Sequence, residues 1–114
     1  MNTFHYRGDS LLVEDLPLSG IAERFGTPTY VYSRRAIIDA FDEFRRAARK
    51  RDVLVCFALK ANSNLAVIDL LAREGAGFDI VSGGELMRVL AAGGDPSRVV
   101  FSGVGKRESE TIRK

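Results

Sequence analysis

Apolar residues along the chain gather in short runs, each followed by a turn and then by apolar positions at helical spacing. The run Val53-Leu54-Val55-Cys56-Phe57-Ala58-Leu59 has no polar interruption. It therefore predicts a strand buried on both faces, as in a parallel sheet. The turn Lys60-Ala61-Asn62-Ser63-Asn64 offers Asn and Ser as helix caps, and Leu65, Ile68, Leu71 and Ala72 then recur on one helical face until Gly75. A second unit opens with Gly77-Phe78-Asp79-Ile80-Val81. Ser82 and Glu85 stand three apart, the spacing of a capping box, ahead of Leu86, Val89 and Leu90. Gly93, Gly94 and Pro96 end that helix. A third strand is predicted over Val99-Val100-Phe101-Ser102, with another helix starting near Lys106 and carrying Glu108, Glu110 and Ile112.

Upstream, Ser33 can cap a helix from Arg34 to about Arg49, with Ile37, Ile38, Phe41, Phe44 and Ala48 on its apolar side. Thr29-Tyr30-Val31-Tyr32 alternates as a half-buried strand does, after the turn signal Gly26-Thr27-Pro28. Leu11, Leu12, Val13, Leu16 and Leu18, with Ile21, Ala22 and Phe25, predict a hairpin edge and a small helix. Residues 1–32 thus read as a module separate from the βα repeats of 33–114.

Repeated βα units with apolar strands imply an α/β fold, either a doubly wound sheet or the start of a (β/α)₈ barrel. A barrel typically needs about 250 residues, and the predicted strands cannot close one. The last predicted helix is cut short at Lys114. The expectation is the front portion of a longer protein, with a complete small domain as the alternative.

The chain has 114 residues, of which 46% are hydrophobic and 28% charged. That is the balance of a globular protein and argues against disorder. Lys and Arg number 17 against 15 Asp and Glu, a net charge of +2, and the two signs are intermixed. Nucleic acid is therefore not an expected partner. No apolar run approaches the roughly 20 residues that span a bilayer, and the start lacks the basic-then-apolar signature of a signal peptide, so no membrane partner is expected. Cys56 is the one cysteine, which rules out an intrachain disulfide or a cysteine zinc site and fits a reducing cytoplasm. Its apolar surroundings favour a small buried hydrophobe. No cluster with metal-ligand spacing is visible, so no metal is expected.

Lys60 stands out for chemistry. It ends the first apolar strand, at the carboxyl edge where α/β folds place their sites. Apolar surroundings penalise its charged form, and the neutral amine is the nucleophile that attacks a carbonyl to form a Schiff base. A lysine that merely extends its ammonium into water at a strand end would show the same spacing. Asp79 lies 19 positions on from Lys60, in the second apolar run. Adjacent parallel strands run roughly 4.8 Å apart, close enough for Asp79 and Lys60 to pair, although a solvated strand-end acid would look alike. Ser102 ends the third strand on the same rim. Gly83 and Gly84 open a helix, where phosphate binding and plain capping are both open. Gly103 reads as part of a tight turn, Asn62 and Asn64 as turn and cap residues, and His5 as a surface residue.

Phe57-Ala58-Leu59-Lys60-Ala61-Asn62-Ser63-Asn64 resembles the pyridoxal-phosphate lysine motif of the alanine-racemase-like, barrel-type enzymes, and among them the amino-acid decarboxylases. Gly77 to Leu86 is similar to their second-strand motif, and Val100-Phe101-Ser102-Gly103-Val104-Gly105-Lys106 to their third. Ile21-Ala22 and Gly26 to Tyr32 resemble their N-terminal lead-in. Arg107 departs from the Thr or Ser common at that peripheral position. The resemblance runs nearly the length of the chain, in order. It implies part of a pyridoxal 5'-phosphate-binding (β/α)₈ barrel, with residues 1–32 joining a β-rich C-terminal domain. Lys60 would hold the cofactor as the catalytic residue, and Asp79 and Ser102 would be cofactor-binding. The implied activity is decarboxylation of a small amino-acid substrate, a carbon–carbon lyase reaction. The Ser102-Gly103-Val104-Gly105-Lys106 string favours meso-2,6-diaminopimelate, giving L-lysine, over ornithine, arginine or carboxynorspermidine. A homodimer is implied in the full-length form. By the same resemblance the later phosphate loops and substrate-binding groups lie beyond Lys114, so the 114-residue chain alone is expected to be poorly folded and inactive. A non-catalytic cofactor carrier and a small interaction domain are the rival readings.

Overall fold

A computed structural model describes residues 2–104. It divides into two compact units, 1–43 and 44–114. The predicted helix around Lys106, Glu108, Glu110 and Ile112 lies outside the described residues.

The first unit holds an antiparallel meander of β1 (Phe4–Arg7), β2 (Ser10–Val13) and β3 (Leu16–Pro17). β1 pairs with β2 in a register that sets Phe4 opposite Val13 and His5 opposite Leu12. Gly8, at φ +62°, takes the left-handed conformation that the tight turn between them needs. Leu12 and Val13 are buried, so the expected hairpin edge is the central strand of three. Phe4-His5-Tyr6-Arg7 alternates aromatic with polar residues as a strand does, but the run is only four residues long and is not among the predicted elements. His5 is half-buried in it rather than a surface residue, and among the described residues its buried Nδ1 has no hydrogen-bond partner. Helix α1 (Leu18–Phe25) stops where the N–H of Gly26 donates back to the Ala22 carbonyl at 2.8 Å.

Thr29 to Tyr32 is not a strand, contrary to its alternating pattern. Alternation describes an extended chain, but a strand also needs a partner ladder, and no described strand pairs with this segment. Tyr30 is 90% exposed, and its ring stacks on that of Tyr32 with centroids 6.4 Å apart. Helix α2 (Arg34–Ala47) begins at Ser33, whose Oγ accepts the Ala36 N–H at 3.1 Å and donates to Glu14 Oε2 at 3.3 Å. It ends short of Arg49, whose N–H bonds to the Arg46 carbonyl and tightens the last turn. Phe41 is buried on it, but Phe44 is 69% exposed. The expected apolar side is therefore covered over only part of its length.

In the second unit β4 (Cys56–Ala58), β5 (Gly77–Ile80) and β6 (Val99–Phe101) form a parallel sheet in chain order. Helix α3 (Leu65–Arg73) connects β4 to β5, and α4 (Gly83–Ala91) connects β5 to β6. One face carries the core. Phe78 and Ile80 are 0% exposed, and Ile68, Leu71, Leu86 and Val89 of the two helices are buried with them. Side chains alternate across a strand, so Asp79 belongs to the opposite face. That face is only partly covered: Cys56 and Ala58 are half-buried, and Val100 is 50% exposed. Of the strands expected to be buried on both faces, β5 is fully buried on the core face, while Phe57 of β4 and Val99 and Phe101 of β6 are half-buried there. The seven-residue run Val53–Leu59 supplies only three strand residues. Val55 still accepts the Gly77 N–H at 2.9 Å, but Val53 and Leu54 are exposed and without a neighbouring ladder. Among the described residues no helix is long and apolar enough to cross a membrane.

Candidate functional site at the carboxyl edge of the parallel sheet

The register fixes which residues share the carboxyl edge. Ala58 lies opposite Asp79, and Asp79 opposite Val100. Two residues farther along β4 and β6 come Lys60 and Ser102, so the three predicted site residues do converge on one rim.

Lys60 sits in the middle of a 3₁₀ turn, Leu59–Ala61, that follows β4 directly. It lies just beyond the strand rather than at its last position. Leu59 is buried and anchors the turn, while Lys60 itself is exposed. The apolar surroundings expected for Lys60 are not supplied by the described residues, since the face of the sheet it borders is open. The rest of the loop is held by its own side chains. Asn62 Oδ1 accepts the Asn64 N–H at 3.0 Å, and Asn64 Oδ1 accepts the Ala66 N–H at 2.8 Å, capping α3. Both asparagines are therefore turn and cap residues. From α4, Arg88 Nη1 donates to the Ser63 carbonyl at 3.1 Å and ties this loop to the next unit. The sequence gives no sign of that tether, because Arg88 is simply an exposed helix residue until the fold brings Ser63 beside it.

Asp79 does not pair with Lys60 as expected; among the described residues no ion pair joins them. Its partner is Ser102, whose Oγ donates to Asp79 Oδ1 at 2.6 Å. Ser102 is held in turn through its backbone, whose N–H donates to the Ile80 carbonyl at 3.0 Å and carries the ladder one residue past β6. Asp79 acts on Cys56 as well. Burial pushes the Cys56 thiol above its ordinary value, and the Asp79 charge pushes it further.

Gly83 and Gly84 are the first residues of α4. Ser82 Oγ accepts the Glu85 N–H at 3.1 Å, the first half of the predicted capping box. Glu85 Oε1 reaches back to the Val81 N–H at 2.7 Å, one residue earlier than the usual box. This chemistry accounts for the residues at that helix start as caps. Among the described residues no group of His, Cys, Asp or Glu could hold a metal ion.

The rim offers a reachable primary amine on Lys60, a carboxylate on Asp79 and a hydroxyl on Ser102. An aldehyde cofactor needs the first, and its polar substituents need the others, so these residues fit pyridoxal phosphate.

The chain is 60% identical over 113 residues to diaminopimelate decarboxylase of Pseudomonas fluorescens and 61% identical to that of Pseudomonas aeruginosa, covering 99% of this chain in each case. It spans about 27% of the length of those relatives. A crystal structure of diaminopimelate decarboxylase from M. jannaschii in complex with L-lysine superposes with a TM-score of 0.91 at 32% identity, over 96% of this chain and 26% of that one. Residues 34–114 match the family described as pyridoxal-dependent decarboxylase, pyridoxal binding domain. With Lys60 and its loop lying inside the matched segment, the chain belongs to the pyridoxal-dependent decarboxylases, through their pyridoxal binding domain.

Proposed function

We propose that this chain is the N-terminal part of an enzyme that decarboxylates meso-2,6-diaminopimelate to L-lysine and carbon dioxide. The observation that carries the reading is the identity of 60–61% to diaminopimelate decarboxylases over almost every residue described, with Lys60 presented at the carboxyl edge of the sheet. Lysine bound to the M. jannaschii relative has the size and charge of the expected product.

Lys60 would hold pyridoxal phosphate through its amine, with Asp79 as the cofactor-binding residue beside it and Ser102, which the resemblance also assigns to the cofactor, serving it through its bond to Asp79. When bound, the cofactor supplies an electron sink that accepts the pair left behind as the α-carboxylate departs. The chain's own work is positional. The Leu59–Ala61 turn, the asparagine caps and the Arg88 tether would hold the loop from which Lys60 extends, and the parallel ladder would hold Asp79 on the same rim. Residues 1–32 would join a β-rich domain, residues 33–114 would begin the barrel, and a homodimer would complete each site. The lone cysteine suits a cytoplasmic setting.

The test uses the full-length protein. Carbon dioxide and L-lysine should appear from meso-diaminopimelate, and not at comparable rates from ornithine or arginine. Borohydride reduction with the cofactor bound, followed by peptide mapping, should label Lys60. Labelling of another lysine would sink the assignment, and preferential turnover of ornithine or arginine would move the substrate.

A further inference from the structure

The geometry points to Ser102 and Gly103 as a clamp on the Asp79 carboxylate: Ser102 acts on the cofactor through Asp79 and is a positioning residue, making no contact with the cofactor of its own. The assignment rests on the proposed use of this rim by pyridoxal phosphate.

The bond from Ser102 Oγ to Asp79 Oδ1 is 2.6 Å, within the range of a charge-assisted bond from a hydroxyl to a carboxylate. A serine hydroxyl has one proton to give, and here it is given to Asp79. Ser102 can therefore offer a ligand no donor without releasing the carboxylate. Its backbone leaves it little freedom to do so, because its N–H is already committed to the Ile80 carbonyl at 3.0 Å.

Gly103 makes this placement possible. A Cβ built there would lie 2.5 Å from the Val81 carbonyl oxygen and 3.1 Å from both the Val81 carbonyl carbon and Cα. All three are backbone atoms at the end of β5 and cannot swing aside as a side chain would. Any larger residue at 103 would force the exit of β6 away from β5 and carry Ser102 away from Asp79. A glycine here is thus a matter of close approach between two chain segments rather than of turn conformation.

The result is a carboxylate with one oxygen fixed. Among the described residues Asp79 Oδ2 has no hydrogen-bond partner, so it is the oxygen left to accept from a cationic or N–H group of a ligand. Fixing Oδ1 removes rotation about the terminal bond before the ligand arrives, which is preorganisation of the kind that strengthens binding.

The experiment measures pyridoxal-phosphate affinity of the full-length apoprotein by cofactor absorbance, with thermal melting alongside, in Ser102→Ala, Ser102→Thr, Asp79→Ala and the Ser102→Ala/Asp79→Ala double variant. Loss of a hydrogen bond to a charged group predicts weakening of about tenfold for Ser102→Ala. Threonine keeps the hydroxyl and should restore most of the affinity. In the Asp79→Ala background, removing the Ser102 hydroxyl should cost nothing further, because its effect passes through the carboxylate. Wild-type affinity in Ser102→Ala, no rescue by threonine, or a full additional loss in the double variant would each overturn the clamp. If the wild-type apoprotein takes up no pyridoxal phosphate at Lys60, the functional reading itself falls and this assignment falls with it. Melting separates either result from unfolding, and the threonine variant still decides the matter if Asp79→Ala does not fold.

Discussion

Cys56 and Asp79 face each other diagonally across the β4–β5 ladder. Cys56 pairs in register with Gly77, two residues before Asp79, and its sulfur lies 2.7 Å from where a Gly77 Cβ would stand. The sulfur thus occupies space that only a glycine leaves open.

Burial, and then the Asp79 charge, hold the Cys56 thiol above its ordinary value of 9.0. Asp79→Asn removes the second cause and keeps the first, so the thiol should titrate lower than in the parent yet remain raised. Alkylation at a fixed pH near neutrality should then run faster, by about tenfold for each unit recovered. Cys56 is the one cysteine in the sequence, so the reagent reports on it alone within these 114 residues. The sign for stability follows from the thiol being favoured in the folded state. Its contribution is fully present below pH 9.0 and is lost as pH rises through the raised value. Urea midpoints at pH 8 and pH 10 should therefore differ less in Cys56→Ala than in the parent. An alkylation rate unchanged by Asp79→Asn would show that burial alone sets the thiol.

Gly94 marks where α4 returns to the sheet. A Cβ there would collide with Val89 Cγ1 and would lie 3.0 Å from the Val89 carbonyl oxygen and 3.3 Å from Phe78 Cε2. Val89 and Phe78 are both 0% exposed, so neither can move into open space. Gly94→Ala should cost about 1–3 kcal/mol, as overpacking of a filled core does. Part of that cost should return in a Val89→Ala background, where the clashing methyl is gone, and urea midpoints of the single and double variants measure it. Equal additive losses would mean that the clash is with the backbone oxygen instead.

What could be read from the sequence divides along physical lines. Ser82 as the cap of α4, Asn64 before Leu65, and the helical spacing of Ile68 and Leu71 are local chemistry, and each does in the fold what its pattern predicts, although Glu85 reaches back to the Val81 N–H rather than that of Ser82. The convergence of Lys60, Asp79 and Ser102 on one rim was also legible, because parallel βα repeats leave little freedom in where strand ends fall. Features that depend on a partner were not. Among the described residues Thr29 to Tyr32 alternates but has no ladder, and Val53-Leu54 is apolar but unpaired, since neither pattern states which strand lies alongside. The Ser102 bond to Asp79 was not legible either, because register and a close backbone approach at Gly103 decide it, and a list of residues does not carry those distances.

The asparagines of the Lys60 loop separate stability from position. Asn64→Ala removes the cap on the Ala66 N–H and should destabilise by about 1 kcal/mol. Ser82→Ala should cost a similar amount at α4, where Oγ accepts the Glu85 N–H. Chemical denaturation would read both. Asn64→Ala should in addition slow borohydride-trapped labelling of Lys60, and Ser82→Ala should leave it alone, because only the first lies on the loop that carries the amine. Equal labelling in the two variants would refute a positional role for the Asn64 cap.

Arg88 offers the sharper separation. Its guanidinium reaches the Ser63 carbonyl from a neighbouring helix at 3.1 Å, so it holds the loop from outside while contributing nothing to the buried core. Arg88→Ala should leave the global unfolding midpoint almost unchanged, as exposed substitutions usually do. The loop should open more often, because a hydrogen bond worth about 1 kcal/mol is gone, which corresponds to roughly fivefold faster exchange where local opening limits it. The amides to follow by hydrogen exchange are those of Asn62, bonded to the Leu59 carbonyl, and Asn64, bonded to Asn62 Oδ1. Lysine at 88 keeps the charge and can donate, but cannot keep the planar fork, so Arg88→Lys should fall between the two. Unchanged exchange at both amides would mean that the asparagine turn alone fixes where the Lys60 amine stands, and that the tether from α4 is incidental to it.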